Sequence, residues 1–162
     1  MRPGQTTPLA SCIRGRMGGL TLVELALSVA VLAVLGMLAV QAYGGWRERA
    51  QVAQAQNDII AMASVIDQQW QDTQTLPASL AAIGRGGLRD PWGNAYQYLQ
   101  LGSPASTGKA RKDHSLVPLN SDYDLYSRGP DGRSQPPLTA KASRDDILRA
   151  NNGAFIGPAS KY

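Results

Sequence analysis

From residue 20 to residue 43 the chain is apolar at almost every position, and Glu24 is the only charged side chain in those 24 residues. At about 1.5 Å rise per residue, a helix of that length crosses a hydrocarbon core of roughly 30 Å. After Tyr43 the pattern turns amphipathic, with Val52, Ala55, Ile59, Met62, Ala63, Ile66 and Trp70 recurring every three or four positions. No proline interrupts the chain between residue 20 and Pro77. The pattern predicts one helix of about 50 residues, its first half suited to lipid or to a filament core and its second half laying an apolar stripe on a folded domain. Gly36, Gly44 and Gly45 are its weak points, each costing about 1 kcal/mol relative to alanine, and Gly44-Gly45 is where any kink or local melting would fall.

Beyond Pro77 the period changes. Residues 76–83 read as a short second helix or turn, closed by Gly84, Gly86 and Gly87. Asp90-Pro91-Trp92-Gly93-Asn94 is a turn that leads into an alternating strand with Tyr96 and Tyr98 on one face. Asp122-Tyr123-Asp124-Leu125-Tyr126-Ser127 alternates in the same way and runs into the turn Gly129-Pro130-Asp131-Gly132. A third strand is expected around residues 116–119, and the tail after Asp131 has no clear period. The fold class is therefore α+β: a long N-terminal helix as a spine, packed on a small antiparallel sheet with a C-terminal loop region.

Charge narrows the choice of partners. The chain carries 16 basic and 12 acidic residues, but Arg2, Arg14 and Arg16 all fall within residues 1–19, which contain no acid. Without that stretch the balance is 13 to 12, too even to sustain a phosphate-binding face, so nucleic acid is not an expected partner. Lys109, Arg111 and Lys112 form the one remaining basic cluster, and it reads as a solvated loop tip. The arginines of residues 1–19 favour a cytoplasmic N-terminus. Cys12 is the only cysteine, so no intramolecular disulfide can form. His114 is the only histidine, and no Gly-x-Ser-x-Gly context exists, so no catalytic constellation can be assembled and the chain is not expected to be an enzyme. Trp70 and Trp92 read as core residues.

A carboxylate inside an apolar run is costly unless it is paired or sits at the interface, and Glu24 admits both readings. Its surroundings, Gly18-Gly19-Leu20-Thr21-Leu22-Val23-Glu24, resemble the processing signal of type IV pilins and type II secretion pseudopilins. The resemblance implies a cut by prepilin peptidase between Gly19 and Leu20, N-methylation of Leu20, and a register role for Glu24 as the fifth mature residue. Where the family usually has Phe at the first mature position, this chain has Leu20. The segments are then a leader, 1–19, a membrane or filament-core half-helix, 20–43, and a periplasmic domain, 44–162.

Asp90-Pro91-Trp92-Gly93-Asn94-x-Tyr96, then Asp124-Leu125-Tyr126-Ser127-x-Gly129-x-Asp131-Gly132, then Asp145-Asp146-Ile147, resemble the C-terminal domain of the type II secretion major pseudopilin. In that family a loop after the last main strand binds calcium. The resemblance implies Ca²⁺ held by Asp131, Asp145 and Asp146 with the backbone carbonyl of Arg128. The chemistry suits a hard cation that takes six to eight oxygens. The alternative is that Asp131 caps a turn with Gly132 while Asp145-Asp146 open a helix. Thirteen residues separate Asp131 from Asp145, a longer loop than the family's, and the usual tryptophan after the last aspartates is missing.

Taken together, the resemblance implies an inner-membrane, single-pass precursor that polymerises into a periplasmic pseudopilus and drives protein export. Expected partners are further copies of itself, minor pseudopilins, prepilin peptidase and the inner-membrane assembly platform. A subunit of a type IV pilus is the alternative, since the processing signal fits both.

Overall fold

The computed structural model describes residues 21–102, 106 and 108–162, with Ala42 described by its backbone alone. The leader and both residues of the cleavage site, Gly19 and Leu20, lie outside the described residues. The chain divides after Ala42 into two units, the second being Tyr43–Tyr162.

The long helix is present as α1, Leu22–Thr73, and helical hydrogen bonding continues through Gly36, Gly44 and Gly45. It stops where the sequence expected: Gln74 takes φ 55° and Pro77 follows three residues on. The second helix is reduced to a 3-10 turn, Leu80–Ile83, closed by Gly84 at φ 70°.

Four strands form one antiparallel sheet in chain order: β1 (Gln97–Gln100), β2 (Tyr123–Ser127), β3 (Ile147–Ala150) and β4 (Phe155–Pro158). The α+β spine-and-sheet arrangement is the one the sequence indicated. The third strand is elsewhere, however. Residues 116–119 contribute only an isolated bridge between Lys112 and Pro118, because Leu116 sits at φ 62° and Pro118 has no N–H for a ladder. The two further strands come from the tail, and residues 147–150 are strand, not the helix start that the alternative reading of Asp145-Asp146 required.

Within the second unit the helical stripe does what its period predicts. Ala55, Ile59, Met62, Ala63 and Ile66 are buried against Leu80, Tyr96, Tyr123, Leu125 and Ile147. Trp70, the last member of the stripe, is 45% exposed and does not join that core. The other face of the sheet has its own smaller core of Leu119, Leu138, Leu148, Ala150 and Ala159. Three tyrosines add directional bonds to the first core. Tyr96 Oη donates to Asp58 Oδ2 at 2.8 Å and Tyr123 Oη to Asp67 Oδ1 at 3.0 Å, both acceptors on α1. Tyr98 Oη donates to the Pro77 carbonyl at 2.8 Å.

Candidate functional site

Two regions carry the residues singled out from the sequence, one in each unit. In the first, every large hydrophobic residue from Leu22 to Val40 is exposed, so this stretch of helix offers its whole apolar surface to a surrounding medium or partner. It is long and apolar enough to cross a membrane. Its start is built by Thr21, whose Oγ1 accepts the Glu24 backbone N–H at 3.2 Å. Thr21-x-x-Glu24 is the spacing of a capping box, which the sequence analysis overlooked. Glu24 therefore stands in the first helical turn, where a carboxylate also opposes the positive end of the helix dipole. Among the described residues it forms no ion pair.

The second region joins the motif segments. Asp90 is 4% exposed and acts as a hub: its Oδ1 accepts the N–H groups of Trp92 at 3.1 Å and Asn94 at 2.7 Å, and its Oδ2 accepts Ser127 Oγ at 2.6 Å. Ser127 Oγ in turn accepts the Gly129 N–H at 3.0 Å, and Asn94 Nδ2 donates to the Gly129 carbonyl at 2.8 Å. Thus the Asp-Pro-Trp-Gly-Asn turn exists to fix the turn at 129–132. Gly129 is required there: it takes φ +63° and its Cα faces the backbone of Asp145.

That turn brings two of the three expected residues into contact, through the backbone of one of them. Asp145 Oδ2 accepts the Asp131 N–H at 3.2 Å, and Asp131 Oδ1 accepts the Arg133 N–H at 2.7 Å, the local turn contact of the alternative reading. The Arg128 guanidinium donates to Gln97 Oε1 at 3.0 Å. Asp146 is not with them. It is fully buried, and its Oδ2 accepts Arg111 Nη2 at 2.6 Å and Ser134 Oγ at 2.7 Å, while Oδ1 has no partner among the described residues. Burial pushes its carboxyl up to about 6, against the opposing pull of Arg111 and Ser134. Among the described residues, no three acidic, histidine or cysteine side chains converge as a metal site. The three-carboxylate set is therefore not assembled in this arrangement, although Asp131 and Asp145 are adjacent.

Arg111 is the residue the sequence reading missed. Expected on a solvated tip with Lys109 and Lys112, it is 3% exposed. Its N–H donates to Asp124 Oδ2 at 2.6 Å, its Nη1 to Ser134 Oγ and to the Gln135 carbonyl, and its guanidinium lies 4.5 Å from the centre of the Tyr126 ring. The available signal was Asp124 itself, an acid on an alternating strand that must be compensated if its face is covered. A second arginine, Arg149, is buried in the same manner, bidentate to Asp122 at 2.9 and 2.7 Å and over the Tyr123 ring at 3.9 Å. His114 is exposed, as expected.

No protein-family model matches the chain, and no solved structure matches it significantly. Relatives named type II secretion system core protein G do. The one from Pseudomonas aeruginosa is 30% identical over 74% of this chain and 88% of its own length. That of Dickeya chrysanthemi is 30% identical over 72% and 80%, and that of Vibrio cholerae 31% identical over 71% and 82%. The matches extend over most of both partners, as they must if exposed helix and folded domain were inherited together. The chain belongs to the type II secretion system core protein G family.

Proposed function

We propose that the chain is a structural subunit of the pseudopilus of a type II secretion system, working by polymerisation and not by catalysis. The observation that carries this is the wholly exposed apolar helix at residues 22–41, with Glu24 its one carboxylate, in a chain of the core protein G family. The relatives carry a secretion-system name, and nothing favours the type IV pilus reading.

In this reading the precursor enters the inner membrane with its N-terminus in the cytoplasm and its C-terminal domain in the periplasm. Prepilin peptidase cuts between Gly19 and Leu20, and Leu20 is N-methylated. The assembly platform then moves subunits out of the bilayer, and further copies and minor pseudopilins make up the filament. Exchanging lipid for neighbouring apolar helices costs little, because one apolar surrounding replaces another. Glu24 meets the N-terminal amine of a neighbouring copy, and mutual compensation in a low-dielectric core sets register more than stability. Any Ca²⁺ would be held at the 129–132 turn through Asp131 and Asp145, whose approach supports that part of the resemblance. It would supply a charge-neutralising link between the turn and the residues before β3.

The test is Glu24→Val in the full chain. Filament assembly and export are expected to be lost, while the melting of the folded domain is unchanged because Glu24 lies in the other unit. Normal filaments from the variant would remove Glu24 from the mechanism. Intact mass of the native membrane protein is expected to begin at N-methylated Leu20, and retention of residues 1–19 would refute the processing.

A further inference from the structure

We infer that the cation which pins the C-terminal segment of this chain through Asp146 is the guanidinium of Arg111, occupying a place that could otherwise take a metal ion. The inference stands on the geometry of the folded domain and does not depend on which filament the chain builds.

Three oxygens of different chemistry converge on the Nη atoms of Arg111: the Ser134 hydroxyl, the Gln135 carbonyl at 2.6 Å and the Asp146 carboxylate at 2.6 Å. Hydroxyl, carbonyl and carboxylate from separate stretches of loop are the donors a calcium ion would gather. Here a planar cation gathers them instead, and its five donors in a fixed fork suit several oxygens at once. Ser134 Oγ also bonds Asp146 Oδ2 at 2.7 Å, which closes the group. The ring of Tyr126 supplies an apolar, electron-rich wall at 4.5 Å.

The same residue links three parts of the fold. Its backbone N–H binds Asp124 on β2, its carbonyl accepts the Leu119 N–H at 2.9 Å, and its side chain holds residues 134–135 and the residue before β3. Its neighbour Lys112 pairs with Pro136 and Leu138 through the backbone at 2.8 and 3.0 Å. The 13-residue stretch between Asp131 and Asp145 is thereby anchored at its middle, where a loop of that length most needs fixing.

A divalent ion beside Asp146 would sit next to this fixed guanidinium, and like charges a few ångströms apart in a buried site repel strongly. Asp131 and Asp145 are bonded to each other through Asp145 Oδ2 and the Asp131 N–H, and neither reaches Asp146 Oδ2. Breaking such a pair from one side leaves the other charge buried and uncompensated, whereas replacing both members by apolar groups is often nearly neutral.

The experiment uses the full chain in detergent micelles, with thermal unfolding followed by circular dichroism in excess chelator and in millimolar CaCl₂. Arg111→Met is expected to lower the melting temperature by roughly 10–20 °C, and Arg111→Met with Asp146→Leu to regain most of that loss. In the wild type, calcium adds no stabilisation that Asp146→Asn removes. Three results would overturn the inference: a calcium-dependent rise abolished by Asp146→Asn, wild-type melting of Arg111→Met, or rescue of Arg111→Met by calcium. Should Arg111→Met fail to fold, the double variant and the calcium comparison on the wild type decide the matter by themselves.

Discussion

Replacing Gly129 by alanine tests whether the motif turn is fixed against the C-terminal segment as described. An added Cβ would lie 2.8 Å from the Asp145 carbonyl carbon and 2.9 Å from Asp145 Oδ2, and closer still to the carbonyl oxygen. Favourable carbon contacts lie at about 3.5–4.0 Å, so one side has to retreat by most of an ångström. Neither can do so freely. The turn is held by Ser127 Oγ and Asn94 Nδ2, and Asp145 runs directly into β3, where Ile147 pairs with Ser127 and Pro158. The left-handed backbone adds about 1–2 kcal/mol for a residue with a side chain, and overpacking about 1–3 kcal/mol, giving roughly 2–5 kcal/mol in all. For a domain of this size that is a fall in melting temperature on the order of 10–20 °C. Gly84 is the control, because it has nearly the same φ, +70°, with nothing within 4 Å of an added Cβ. Gly84→Ala carries only the backbone cost and should fall by roughly a third to a half as much. Equal losses in the two variants, measured by thermal unfolding of the full chain, would refute the close approach of Gly129 to Asp145.

Ile59 is fully buried in the helix–sheet core, so Ile59→Ala should cost about 2–5 kcal/mol in unfolding free energy. Ile60, half exposed on the next position, should change stability by less than about 0.5 kcal/mol on the same substitution, and comparable losses at both would contradict the helix orientation. The stitching tyrosines make the domain sensitive to alkali. Desolvation pushes Tyr98 up to about 12 and raises Tyr96 and Tyr123 as well, with the Asp58 and Asp67 carboxylates adding to the rise at the latter two. Above about pH 10 an unfolded tyrosine loses its proton while these keep theirs, so the native state binds more protons and stability falls as pH rises. Their contribution is complete below about pH 10; that of Tyr98 is lost between there and about 12, and those of Tyr96 and Tyr123 go on falling at higher pH; tyrosinate absorbance appearing at these residues before unfolding would contradict it.

The helix and the first two strands were legible because their polar and apolar residues alternate at the period of the element, in β2 even though four of its five residues are buried. Residues 52–66 repeat at helical spacing, and Tyr96 and Tyr98 reach α1 and the chain just after it. β3 was not legible for the opposite reason: Ile147, Leu148, Arg149 and Ala150, all buried, show no polar–apolar alternation, and an arginine in the run argues for the surface. Arg111 was hidden in the same way. Between Lys109 and Lys112 it looks like a solvated cation, and only the fold brings Asp124 and Asp146 to it from 13 and 35 residues away. Trp70 misled in the other direction, since a stripe can outrun the sheet that covers it. Of the carboxylates, Asp131 and Asp145 were grouped only through the family resemblance, and nothing local could reveal that Asp146, one residue on, faces another way.

The strict chain order of the sheet has a kinetic consequence. Every strand pairs with the one that precedes it, so a chain delivered residue by residue from its N-terminus presents α1 first and then meets each pairing partner already in place. No strand has to wait for a distant successor, and the loops to be closed, of 22 residues or fewer between paired strands, add little entropy cost as each is appended. Such a topology suits a chain that folds as it emerges, because the growing edge of the sheet is the one that the next segment will cover.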